Sequence, residues 1–449
     1  MSRPSFSRRG FLGTAAAAFS LYGWSHVARG AERNENDDRP PVLEPRATSG
    51  DDAVEPAWDE RMTITVSPKK GDLVGDSEKV LQAAVNYVAG FGGGTVQILP
   101  GTYKLRNSVF LKSGVRIIGS GLDSILIKEP SHAAKLAVDS DWYDQEITLE
   151  DDKGFQLGDG VCLITKNPHN GSMQYLKRTL VARSGKRFKL DKPLRENYWQ
   201  MGNSSANALF PLLTGEEIEN VAIENLTLDG NREQNEHLDG NYAGCIFLQD
   251  CRRINMREVT ARNYNGDGIS WQICHDVVVE NCHSHDNADL GLHPGSGSQR
   301  PLIRGNKLER NNIGIFFCWG VKYGLAENNV ADGNKYGVSI GHRDTNNLIR
   351  ENEILNSGEV GVLFRPERGK AFAPHRNRLE KNRIINSGPE AGIAVDVQGE
   401  TESVIISGNE IKETRDPMQR VGIRVGKETR DIQLVDNKFE GLSVKVTGP

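Results

Sequence analysis

The feature that most constrains the fold of this chain is a repeat in its second half. Short apolar runs lead to an Asn, and a second run leads to Gly followed by Ile, Val or Leu. The Asn falls at Asn225, Asn281, Asn306, Asn328, Asn352, Asn382, Asn409 and Asn437, with Glu258 in that place in one further repeat. The apolar residue after Gly falls at Ile246, Ile269, Leu292, Ile315, Val338, Val362, Ile393 and Ile423. From Asn281 onward the spacing is 22 to 30 residues. A period of this size marks one structural unit stacked many times.

The unit is built of strands. Apolar residues alternate over short stretches (Val277 and Val279, Ile269 and Trp271, Ile393 and Val395), which is the period of a strand and not of a helix. Runs this short cannot bury a face alone. Stacked in register, each pairs with its counterpart one coil away, about 4.8 Å along the axis. The expectation is an all-β chain folded as a parallel β-helix. The Asn column reads as structural, because a buried amide at one turn per coil can bond its counterparts above and below.

Residues 1–30 read as a twin-arginine export signal. Arg8-Arg9 precede an apolar stretch from Gly13 to Tyr22, with cleavage expected near Ala28 to Ala31. Residues 31–60 are acidic and Pro-containing and read as a disordered linker. The formal net charge is −5, and loss of the leader with its four Arg leaves about −9, which argues against a nucleic-acid partner. No later apolar run is long enough to span a membrane and no Cys closely follows the leader, so no membrane anchor is expected. The predicted location is periplasmic or secreted. Cys251 and Cys274 hold matching places in consecutive coils, which suits either a disulfide or two stacked thiols.

Residues 61–130 carry an amphipathic helix (Asp76 to Val85), then Gly93-Gly94-Thr95-Val96, Pro100-Gly101-Thr102-Tyr103 and Ile118-Gly119-Ser120-Gly121. A helix over the first coil shields an open strand edge. In this order these segments resemble the N-terminal region of pectate-lyase-3 type proteins, and within the repeat domain expected over 216–449, residues 220–440 resemble the generic repeats of the same right-handed parallel β-helix, or pectin-lyase-like, superfamily. The resemblance implies an extracytoplasmic protein that handles a polysaccharide. It does not fix the reaction, because the superfamily spans lyases, hydrolases, epimerases, tailspikes and non-enzymes. Residues 131–215 interrupt the pattern and read as an inserted β subdomain, serving either as a wall of a groove or as a second cap.

Chemistry is sought where coils stop resembling one another. By strand parity the outward positions are Ser270, Gln272, His293, Phe316, Cys318, Ser339, Arg365 and Asp396. Between Asp267 and Arg376 the coil ends carry His, Arg and Trp in place of bland turn residues. Candidate catalytic residues are Asp267, Asp289, His293, His342 and Arg343. Candidate substrate-binding residues are Arg300, Trp319, Arg365, Glu367, His375 and Arg376. Asp267 and Asp289 should lie one coil apart and could divide acid and nucleophile roles. Asn265-Gly266-Asp267-Gly268-Ile269 is similar to the Asn-Thr-Asp-Gly-Ile-Asp motif of polygalacturonase-type hydrolases, but the paired Asp-Asp, Gly-His-Gly and Arg-Ile-Lys motifs of that family are missing. A lyase would instead draw on a His or Arg base and an Arg facing a uronate carboxylate. No dense Asp cluster marks a calcium site, and no metal or cofactor is expected. The sequence therefore points to a polysaccharide lyase or glycoside hydrolase acting on an anionic polymer, with a non-catalytic carbohydrate-binding or surface protein as the alternative.

Overall fold

In the computed structural model, residues 58–448 are described. The export signal and nearly all of the linker expected before residue 61 lie outside them. From residue 61 the chain winds into a parallel β-helix with three strands in a typical coil. The coil Ile269–Gln272, His275–Glu280, His283–His285 is representative. The first strand of each coil joins an eleven-stranded sheet, and the other two join a 22-stranded assembly. Ile246, Ile269, Leu292, Ile315, Val338 and Val362 stack in register along the first sheet, each buried. At the next coil the in-register residue is Val395, not Ile393. Gly388 to Gly392 lengthen the preceding corner, so Ala394 takes the place that Gly holds in the other coils.

The Asn column resolves into two adjacent columns. Asn306, Asn329, Asn352, Asn382, Asn409 and Asn437 form a ladder inside the helix. Asn329 Oδ1 accepts both the backbone N–H and the side-chain amide of Asn306 at 2.9 Å, and its own amide donates to Ile303 O at 3.0 Å. The same pattern repeats up to Asn437. Asn225, Asn281, Asn328 and Glu258 stand one residue earlier, at the bend, with φ of 49°, 53°, 54° and 55°. These four turn the chain and stand outside the Asn ladder, although the Asn225 amide donates to Gly119 O of the preceding coil at 3.4 Å. Asn is favoured in both settings, as a short amide that tolerates a left-handed bend and as a ladder amide. A second ladder joins Asn287, Asn311 and Asn334, and a third joins Asn347 and Asn377. The external surface adds rows of charge, for example Arg304 between Glu280 and Glu327 with Arg350 beyond.

The helix Glu78–Gly90 buries Leu81, Ala84, Val85 and Val88 against the first coils. The insertion forms a six-stranded sheet between Ala133 and Asn207, with antiparallel pairings and its own core around Phe155, Phe188 and Tyr198. Leu213–Glu216 already belong to the β-helix, paired in parallel with Ile246–Gln249. Cys251 and Cys274 are free thiols, with the Cys251 N–H donating to Cys274 Sγ at 3.4 Å.

Candidate functional site

Strand alternation sends one side chain per coil out from the same line of the eleven-stranded sheet. Phe247, Ser270 and His293 are consecutive in that column. Phe316 follows Ile315 as His293 follows Leu292, and Ser339 pairs with Phe316. Asp267 enters from the turn before its strand, held by its Oδ1 accepting the Leu290 N–H at 3.1 Å.

Asp267 Oδ2 lies 2.7 Å from His293 Nδ1. Both side chains are buried, at 0% and 2% exposure. Burial pushes the Asp267 carboxyl above the usual range, and the imidazole opposes that rise. Ser270 Oγ lies 3.3 Å from the same ring nitrogen, accepts from Gln272 Nε2 and donates to Gly240 O. With the Nδ1 proton directed to Asp267, His293 Nε2 presents a lone pair, and that nitrogen has no partner. Gln272 Oε1, on the neighbouring outward column, is likewise buried without one. Gly240 closes over the carboxylate so tightly that a Cβ there would stand 1.7 Å from Asp267 Oδ2.

Above His293 the face becomes aromatic and cationic. Phe316 packs on the imidazole with ring centres 5.3 Å apart, and the Arg365 guanidinium covers Phe316 at 4.4 Å. Arg365 donates to Ser339 Oγ at 2.8 Å and to Phe317 O at 2.9 Å. It also lies 3.5 Å from both Asp344 and Glu367. Asp344 is fully buried and accepts N–H groups from Gly320, Val321 and Gly341. Burial raises its carboxyl to about 7. Glu367 accepts the His342 N–H and sits 3.4 Å from His342 Nδ1. The His342 ring stacks between Trp319 at 4.8 Å and Phe372 at 4.9 Å, with Arg343 lying over Phe372. Trp319 is 60% exposed, a flat apolar shelf beside the cation.

The structure thus gathers Asp267 with His293, and Arg365 with Glu367, His342, Trp319 and Arg343. Other candidates have partners of their own. Asp289 pairs with His237 at 2.7 Å, so each of the two aspartates has its own imidazole, while the Asp289 charge still reaches Asp267 and adds to the rise of its carboxyl. The Arg300 guanidinium is forked on Asp276 one coil away. His375 uses Nε2 on Lys370 O and Nδ1 on the Glu402 N–H, and Arg376 donates to Asn346. These three tie coils and loops together. Arg365 does not pair with Asp396, which is held by Arg424.

Sequence reasoning missed Asp344, Phe372, Gly240 and His237. It also missed a cavity of about 700 Å³ where the insertion meets the first coils of the same outward face. Phe247 and Gln249, one coil below Ser270 and Gln272, form part of its floor, and Tyr175 and Lys177 of the insertion line it.

The region described as "Right handed beta helix region" matches residues 214–365, and the family described as "Periplasmic copper-binding protein (NosD)" matches residues 317–448. The second span does not fit a copper centre. Its softer donors are Cys318, His342, His375 and Met418. Both nitrogens of His375 are engaged, Met418 is exposed, and no group of three or more His, Cys, Asp or Glu among the described residues converges to hold a metal. The chain is 22% identical over 314 residues to the mannuronan C5-epimerase AlgE2 of Azotobacter vinelandii, covering 68% of this chain but 22% of that protein. Among solved structures, the A-module of the Azotobacter vinelandii mannuronan C-5 epimerase AlgE4 superposes with a TM-score of 0.55 at 17% identity, covering 86% of this chain and 98% of the module. The Streptococcus pneumoniae surface protein and adhesin PfbA gives 0.54 at 14% identity, covering 83% and 95%. These likenesses concern the fold: the chain is a right-handed parallel β-helix.

Proposed function

We propose that this chain is an exported enzyme that removes a proton from a uronate unit of an anionic polysaccharide laid along the outer face of the eleven-stranded sheet. The observation that carries this reading is the Asp267–His293 pair with the unpartnered Nε2. His293 Nε2 takes the proton from the carbon next to the uronate carboxylate, and Asp267 stabilises the imidazolium formed. The electron pair left on carbon spreads into the carboxylate, where the Arg365 fork offsets the growing charge. Near neutral pH the partial protonation of Asp344 leaves Arg365 with more of its positive charge uncompensated. Trp319, stacked on His342, offers an apolar face to a neighbouring sugar ring. Collapse of the carbanion with loss of the 4-oxygen substituent is the lyase outcome, and reprotonation from the opposite face is epimerisation. The similarity to mannuronan C5-epimerases favours the uronate class.

Export rests on the twin-arginine leader and on the match to a periplasmic family. No helix among the described residues is long and apolar enough to cross a membrane.

His293 is 2% exposed, so catalysis requires the Gly240 turn or the Arg365 side chain to move when substrate enters. The same burial favours the second reading, a protein that binds the polymer without altering it. One assay separates the outcomes. The protein is incubated in deuterium oxide with uronate-containing and neutral polysaccharides, and unsaturated ends, reducing ends and deuterium at C5 are followed. Unsaturated ends identify a lyase, and deuterium without cleavage identifies an epimerase. Reducing ends alone identify a hydrolase and sink the proton-abstraction reading. Binding with no chemical change leaves the binding protein.

A further inference from the structure

The cavity between the insertion and the first coils carries a cation, Lys177, that forms no ion pair among the described residues, with only the more distant charge of Glu216 acting on it. Lys177 comes from the strand Met173–Ser184 of the insertion. Its ammonium donates to Tyr242 O and lies 3.6 Å from the centre of the Phe247 ring. Among the described residues no carboxylate reaches ion-pair distance of it. Arg178, beside it in the lining, spends its guanidinium on the carbonyls of Lys177, Lys192 and Pro193. Acidic groups are present, but they are occupied or peripheral: Asp191 accepts the Thr179 N–H, and Glu216 is exposed. Tyr175 and Tyr242 stack at 4.3 Å and form an aromatic wall. Burial draws the Lys177 ammonium down to about 8, so it stays largely charged at neutral pH.

The position matters as much as the charge. Phe247 lies two coil steps below His293 in one outward column, on the order of 10 Å along the axis. A polymer on the sheet that reaches His293 therefore runs over this cavity. We infer that the insertion builds a second sugar subsite of the same face, in which Lys177 binds the carboxylate of a further uronate unit and the Tyr175–Tyr242 wall borders its ring. This rests on the uronate reading above and goes beyond it by giving the insertion a role in recognition.

The test is calorimetric titration of the full chain carrying His293→Gln, so that substrate is not consumed. The ligands are a uronate oligosaccharide and the same oligosaccharide with its carboxyls reduced to alcohols. Adding Lys177→Met should weaken binding of the uronate form by about 10- to 100-fold, the loss of one charge-assisted hydrogen bond, and leave the reduced form unchanged. Equal affinity of the Lys177→Met and parent proteins for the uronate form overturns the subsite while the uronate reading stands. Failure of the parent to prefer the uronate over the reduced form overturns both. A length series on the parent covers the case in which Lys177→Met does not fold. Affinity should step up once the oligomer spans from His293 to the cavity, and a featureless series overturns the subsite.

Discussion

His293 Nδ1 stands 2.7 Å from Asp267 Oδ2 across 26 residues of sequence, joined only because two coils stack in register. The contact fixes which ring nitrogen is left to react. Asp267→Asn should keep the shape but lose the acceptor that holds the Nδ1 proton. kcat on a uronate polymer is expected to fall by roughly 10²- to 10⁴-fold with little change in KM. His293→Gln should be at least as severe. Steady-state kinetics of both variants check this, and a fall confined to KM would count against the assigned roles.

Arg365 offers a planar fork where a carboxylate is expected. Arg365→Lys keeps charge but not the fork, so on the uronate polymer it should lower kcat as well as weaken binding, each by about tenfold, and leave binding of a carboxyl-reduced polymer unaltered. Steady-state kinetics on the uronate polymer and matched affinity measurements on the two polymers read the difference directly.

The two adjacent Asn columns predict opposite sensitivities one residue apart. Asn352→Ala removes the acceptor for both the N–H and the amide of Asn329, stranding buried donors. The expected cost is about 2–4 kcal/mol in denaturant unfolding. Asn328→Gly, at φ 54°, relieves a left-handed bend and should change stability by less than about 1 kcal/mol. Equal costs at the two positions would refute the division into ladder and bend.

Lys128 is 2% exposed and bonded to Ala208 O, Asn235 Oδ1 and Glu129 O, with no carboxylate at ion-pair distance among the described residues. Burial lowers its ammonium from 10.5 to about 7, and the positive charge of Arg106 adds to the effect. The folded value lies below the unfolded one, so the stability linked to this group is full above the unfolded value and is lost as pH falls through about 7. Lys128→Met removes the titration. Stability of the parent relative to the variant should climb by up to about 1.4 kcal/mol per pH unit above pH 7, read from unfolding at several pH values. Parallel pH profiles would contradict it.

Some of this was legible in the sequence and some was not, for reasons of spacing. Ile269, Leu292 and Ile315 announce themselves because each coil repeats them, and strand parity then sends His293 and Phe316 outward. Asn328 and Asn329 are harder. Asn suits both the bend and the ladder, and only the hydrogen bonds tell the two positions apart. Ile393 misled because extra residues in one corner shift the apparent Gly-Ile pair by two. Arg300, His375 and Arg376 looked like site residues, since an Arg that clasps a neighbouring coil is written with the same letter as one that clasps a ligand. Lys177, Gly240 and His237 lie in segments without a period, where nothing marks which residues come back to the sheet.

One consequence follows from the in-register column Phe247, Ser270, His293, Phe316 and Ser339. Each position comes from a different turn of the chain, so the intervals between recognition points on this face come in whole multiples of a fixed pitch. Such a surface works as a graduated ruler. Deleting the single coil between Phe247 and His293 removes Asp267 with it, but it brings the two marks one graduation closer, and an optimum in ligand length for binding should shorten by the same discrete step.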